Sequence, residues 1–272
     1  MKSNKPILVT GSHRSGTTWV ARTIETDPTI RFLNEPFFNL SRPAIKKFAP
    51  KHWFLHITDK NESEYYDKIK YILGNPYYFQ KETSAIIKEL KNIMDYPSTR
   101  LINMLDHSRN ILFKVRPLMK CPIGVFSAEW LASKFDMAVI VLIRHPAAFA
   151  GSLKDLDWQF DFRNYLEQPF LMEDLLYPFE KQIREYAQSK HDIIDQASLL
   201  WKSIYYAVTQ YKKRHKDWIF VRHEDISREP LFWFKNIYDK LGLNFTYKID
   251  AEINKDTGDQ NPYLFKKGDI DR

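Results

Sequence analysis

Cysteine is almost absent. Cys121 is the single one in 272 residues, so no disulfide can form within the chain and nothing points to an oxidising compartment. Set before Pro122, it reads as a small buried apolar residue rather than a nucleophile. Long apolar runs are also missing. The apolar run at residues 138–143 is far too short to span a bilayer. The opening residues MKSNKP lead to a first strand with no apolar stretch of the secretory-leader kind. The expectation is a cytoplasmic protein without a transmembrane segment. There is no internal repeat and no low-complexity tract, and the whole chain, 1–272, is read as one domain. Lys and Arg exceed Asp and Glu by seven (41 against 34), yet they are scattered rather than gathered in a tail or arm. That excess suits an anionic ligand or substrate and argues against nucleic acid.

Apolar content of 44% with 28% charged residues describes a globular chain able to bury a substantial core. The aromatic share is high, with 19 Phe and 15 Tyr, as a roomy interior or a flat-walled cleft would need. Strands are expected at 6–10, 30–33, 111–115, 138–143 and 218–221. Helical patterns cover 16–25, 123–134 and 192–214, with others opening near 83 and at Pro146. Strands separated by helices predict an α/β fold, a central and mainly parallel β-sheet flanked by helices. The stretches at about 40–82 and 157–180 break this rhythm and read as acceptor-binding or lid insertions.

The strongest local signal is ILVTGSHRSGTTW, residues 7–19: a short apolar strand, a glycine-bounded turn and a helix. Gly11 and Gly16 let the backbone turn so that successive N–H groups point inward, and the helix offers its positive N-terminal end to an anion. The spacing G-x-x-x-x-G is that of a nucleotide P-loop, but Thr17 and Thr18 follow where Lys and Ser/Thr would stand. The loop carries its cation earlier, at Arg14. A second anion site is expected where AVIVLIRHPAAFAGSL sets Arg144 at a strand's carboxyl edge and Ser152 eight residues on. Ligands of open α/β sheets bind at that edge, and a guanidinium can grip a phosphate with two parallel hydrogen bonds. A structural ion pair is the competing role for Arg144.

GSHRSGTTW, followed by an apolar strand and R-x7-S, resembles the sulfotransferases that use 3′-phosphoadenosine 5′-phosphosulfate (PAPS). The resemblance implies that Arg14, Ser15, Gly16, Thr17 and Thr18 hold the 5′-phosphosulfate, while Arg144 and Ser152 hold the 3′-phosphate. Lys114 in ILFKVRP looks like the family's strand lysine at the sulfuryl group. VRHEDI is similar to the family's "YED" strand end, with His223 where an adenine-contacting Tyr usually stands. FKKG, with Lys266, Lys267 and Gly268, looks like the "RKG" segment that completes the 3′-phosphate site. Trp19 resembles the tryptophan that stacks on adenine, and is as well read as a core aromatic of the first helix.

The same resemblance implies an in-line sulfuryl transfer to an acceptor hydroxyl, with 3′,5′-ADP as product and no metal required. Catalysis would rest on positioning and on cations that meet the developing charge, here Arg14 and Lys114. Small-molecule members carry a His base in "KTH", and Arg116 occupies that place here. Carbohydrate and protein sulfotransferases set a Glu after the second strand, which Glu35 in LNEPF matches. It is therefore the candidate general base, with capping or salt-bridging as the alternative. A glycan, glycolipid or other small-molecule acceptor follows. Two readings compete: a P-loop kinase using ATP, disfavoured by Thr17, and a nucleotide-binding module without turnover, disfavoured by Arg14, Lys114, Arg144 and Ser152 occurring together.

Overall fold

Residues 5–38, 50–74 and 115–257 are described by a computed structural model. Its strands are β1 (Ile7–Gly11), β2 (Ile30–Asn34), β3 (Arg116–Lys120), β4 (Ala138–Ile143) and β5 (Ile219–Arg222). They form one sheet in the order β2-β3-β1-β4-β5, parallel at every pairing. Side chains alternate between its faces. Leu8, Leu33, Met119, Val139 and Val141 enter one core, and Ile7, Val9, Phe32, Leu118, Ile140 and Leu142 enter the other. Burial on both sides is why β4 is apolar at every position.

The second face is covered by α1 (Thr17–Glu25) through Val20 and Ile24 and by helix Pro230–Leu241 through Phe234 and Ile237. On the first face lie α2 (Tyr66–Gly74), α3 (Ala128–Phe135), α4 (Pro146–Asp155), α5 (Glu180–Gln188) and α6 (Ile193–Arg214), with Ile69, Leu131, Phe149, Ile183 and Ile204 in that core. The chain closes with α7 (His223–Arg228), α8 (the Pro230–Leu241 helix) and α9 (Tyr247–Thr257). Short helical turns fill 163–179. Tyr165, Leu171 and Leu176 there, Phe162 just before them, and Phe54, Leu55 and Ile57 from 50–74, are buried. The described parts of both irregular stretches are thus built into the core, and their rings account for much of the aromatic content.

The sequence placed a strand at 111–115. The strand that joins the sheet is β3, opening at Arg116, while 111–114 lie outside the described residues. Its pattern, RPLMK, hides it: a proline and two charged ends leave only Leu118 and Met119 as an apolar signal. Burial of those ends is nonetheless real, for Arg116 and Lys120 are among the buried charged residues. The helix expected over 123–134 splits into 3-10 turns at Pro122–Ser127 and then α3. The pattern near residue 83 falls outside the described residues.

Register fixes the site. β1 is central, with Gly11 opposite Leu142 of β4 and Val9 opposite Lys120 of β3. Lys120 in turn lies opposite Asn34 of β2. Because all strands run the same way, their carboxyl ends gather the residues after Gly11, Asn34, Lys120 and Ile143 along one edge.

Candidate functional site

The loop after β1 needs its glycines. Gly11 has φ +143°, and a Cβ there would come 2.3 Å from the Leu142 carbonyl oxygen. Gly16, at φ +89°, caps α1 in the left-handed region. Between them the Ser15 hydroxyl donates to the Ser12 carbonyl at 2.5 Å. Arg14 holds φ +62°, and its Nε donates to Ser152 Oγ on α4 at 2.9 Å. Arg144, just past β4, donates from Nη1 to the Arg14 carbonyl. The two arginines expected at separate phosphates are therefore neighbours, joined through the loop backbone. Arg144 Nε is buried without a hydrogen-bond partner. Burial lowers the pKa of this guanidinium, with Glu224 opposing.

His223 opens α7 against the loop. A Cβ on Gly16 would stand 2.5 Å from its Nδ1, which is buried and unpartnered. Its pKa is lowered by burial first and then by Arg144, with Glu224 opposing, which favours the neutral ring. The Trp19 ring lies 6.5 Å from it and 5.3 Å from Phe234. Trp19 thus packs against the second core while its Nε1 also lacks a partner. Beside them Glu224 Oε1 accepts from the His145 N–H at 2.8 Å, and its Oε2 is buried unpartnered. Three unpaired donors or acceptors from Arg144, His223 and Trp19 around one glycine cradle fit a nucleotide carrying phosphate, since buried polar groups are ordinarily satisfied.

A second group sits two strands away. Glu35 follows β2 at φ +46°, and its N–H donates to the Lys120 carbonyl at 2.7 Å. Lys120 Nζ donates back to Glu35 Oε1, closing a ring of two hydrogen bonds. The lysine side chain is 3% exposed and the glutamate 20%. Burial lowers the lysine's pKa and Glu35 counters it. Arg116, by contrast, lies at the opposite end of β3, where Nη1 donates to the Leu241 carbonyl at 2.7 Å and Nε to that of Lys5. It does not stand where a strand-end base would. Counted from Lys120, that place belongs to Pro122, which offers no base either.

The loop's His13 is buried, not solvated. Its ring packs 4.8 Å from Trp158, 5.1 Å from Phe149 and 5.8 Å from Phe54. Burial, aided by Arg14, brings its pKa to about 3. Cys121 is fully buried beside Lys120 and its thiol is pushed up to about 12, which leaves it inert at neutral pH. Of the residues expected from sequence, Arg14 to Trp19, Arg144, Ser152 and His223 come together, and Glu35 joins Lys120. Lys114, Lys266, Lys267 and Gly268 lie outside the described residues. Sequence reasoning missed Lys120, whose only signal was a lysine closing a short apolar pair, and also Trp201 and Tyr205 of α6. Trp201 Nε1 donates to the Arg144 carbonyl at 2.8 Å. The Tyr205 hydroxyl lies 2.7 Å from Ser12 Oγ. Among the described residues, no group of three or more His, Cys, Asp or Glu is placed to hold a metal ion, and no helix is long and apolar enough to cross a membrane.

Residues 6–247 match the profile described as "Sulfotransferase family". Solved structures similar to the chain include the "Sulfotransferase Domain from the Curacin Biosynthetic Pathway", at 14% identity over 92% of this chain and 77% of that one, TM-score 0.47. Another is the "Sulfotransferase Domain from the Synechococcus PCC 7002 Olefin Synthase", at 15% over 98% and 85%, TM-score 0.46. The sulfotransferase from Alicyclobacillus acidocaldarius matches at 12% over 93% and 91%, TM-score 0.43. At such identities and scores the family match, not the likeness of shape, assigns the chain. No curated protein matches it.

Proposed function

The chain belongs to the sulfotransferase family, and on that premise we propose that it moves the sulfuryl group of PAPS to the hydroxyl of a glycan, glycolipid or other small molecule. The observation that carries this reading is the Lys120–Glu35 ring on the same strand-end edge as the glycine cradle. Transfer needs a cation at the sulfuryl oxygens and a proton acceptor at the attacking hydroxyl, and the two groups stand side by side on adjacent strand ends. Lys120 has three N–H donors, of which Glu35 takes one. The others are available to an oxyanion in a setting where water does not compete. The loop N–H groups, with Arg14, would hold the bridging phosphate, and Arg144 the 3′-phosphate through its unused Nε edge. Trp19 and His223 would flank the adenine, Trp19 while keeping its core packing.

PAPS supplies a sulfuryl group on a phosphate leaving group. The chain's part is to align it, accept charge on the leaving oxygen at Arg14, and take the acceptor's proton at Glu35 as the new S–O bond forms and the old one breaks. Thermal unfolding with added nucleotides tests the reading, because only a ligand that binds the native state raises its stability. At equal concentration 3′,5′-ADP is expected to raise Tm well above 5′-ADP and above ATP with Mg²⁺. A preference for ATP with Mg²⁺ would replace sulfuryl transfer by kinase chemistry.

A further inference from the structure

The loop and the strand-end arginine are tied together by one face of a distant helix. Trp201 and Tyr205 stand one turn apart on α6, so their side chains project to the same side. Their rings pack at 4.8 Å. Trp201 Nε1 donates to the carbonyl of Arg144 at 2.8 Å, and the Arg144 N–H donates to Tyr205 Oη at 2.9 Å. Both backbone groups of Arg144 are thus held by α6. The same Tyr205 oxygen lies 2.7 Å from Ser12 Oγ in the loop. It also lies 3.4 Å from the Leu142 carbonyl, against which Gly11 is packed. Ser12 is fully buried, and burial raises the tyrosine's pKa to about 12. The hydroxyl therefore keeps its proton.

We propose that Trp201 and Tyr205 are positioning residues, a brace that fixes the spacing between the loop and Arg144 so that the protein reads the two phosphates of one ligand together. The inference rests on the donor reading above. Either half alone needs no brace, since the loop is shaped by its glycines and Arg144 by its strand. What the brace adds is their relative register, and in a rigid two-point site a small misplacement is felt only when both points are engaged at once.

Calorimetry on Tyr205→Phe separates this from ordinary loosening. The variant keeps the ring and removes only the oxygen. Affinity for 3′,5′-ADP is expected to fall about tenfold, while affinities for adenosine 5′-monophosphate and adenosine 3′-monophosphate change less than about twofold. Equal losses for all three, or none for the bisphosphate, overturn the brace. Ser12→Ala, which cuts the same bridge from the loop side, is expected to repeat the pattern, and it serves in place of Tyr205→Phe should that protein not fold. Failure of the donor reading looks different: the unmodified protein would then bind 3′,5′-ADP no better than the monophosphates.

Discussion

Removing either member of the Lys120–Glu35 pair should cut turnover sharply, but the two losses of stability should differ, and burial decides the order. Lys120→Met leaves a carboxylate that is 20% exposed and can recover water, so the cost is about 1 kcal/mol. Glu35→Gln keeps an oxygen to accept the hydrogen bond but leaves an ammonium, 3% exposed, without a counter-charge. The penalty has a ceiling, because the ammonium can instead shed its proton. From an ordinary value of 10.5 to pH 7 that costs about 5 kcal/mol. With the hydrogen bond kept, about 2 kcal/mol is expected, a fall in Tm of roughly 4–8 °C against roughly 2–4 °C for Lys120→Met. The double variant removes both charges and should lose less than the sum, with a coupling of at least about 1 kcal/mol. Urea unfolding of the four proteins gives the cycle directly. A larger loss for Lys120→Met than for Glu35→Gln, or simple additivity, would refute the reasoning. Loss of sulfuryl transfer by a factor of about 100 or more in both singles checks their place in the chemistry.

Other perturbations follow from the same geometry. His13 titrates near 6.5 when unfolded and about 3 when folded, so as pH falls through that window the unfolded chain takes the proton first and stability is lost. Between pH 6.5 and 4.5 the unmodified protein should lose roughly 2–3 kcal/mol more than His13→Phe; parallel curves of Tm against pH would exclude it. Arg144→Lys keeps the charge but not the planar fork. It should weaken 3′,5′-ADP binding at least about tenfold and adenosine 5′-monophosphate by less than about twofold, both read by calorimetry. Gly11→Ala would press a Cβ within 2.3 Å of the Leu142 carbonyl oxygen at φ +143°, where backbone must yield. A loss of about 2 kcal/mol or more in urea unfolding is expected.

The parts of the fold that could be read in the sequence are those where local chemistry and tertiary role agree. β4 is apolar throughout because both its faces are buried, and it runs over Ala138–Ile143 as the pattern required. The loop announced itself because two glycines must stand where positive φ is needed. β3 escaped because its burial is carried by Arg116 and Lys120, and no periodicity of apolar residues reports a buried charge. Its position five residues after the expected strand moves Arg116 to the far end of the sheet. It also brings Lys120 to the edge that faces Glu35. Trp201 and Tyr205 were invisible for another reason. Their spacing marks a common helix face, but only the fold shows that the face meets residues some sixty and some two hundred positions earlier.

Backbone strain points to the same place without any motif. Among the described residues, five other than glycine have positive φ: Arg14, Glu35, Phe54, Asp136 and Asp157. Asp136 and Asp157 follow the ends of α3 and α4, where a left-handed residue is an ordinary way to stop a helix. Arg14, Glu35 and Phe54 end no helix. The first is the loop cation, the second the carboxylate joined to Lys120, and the third packs against His13. A left-handed residue costs on the order of 1 kcal/mol and persists only where neighbours over-determine it. Arg144 holds the Arg14 carbonyl, and the Lys120 carbonyl holds the Glu35 N–H. Arg14 is therefore fixed by a cation proposed to meet the donor, so removing the Arg144 side chain should relax the loop backbone that carries Arg14, whereas the Lys120 carbonyl that fixes Glu35 survives any substitution of the lysine side chain.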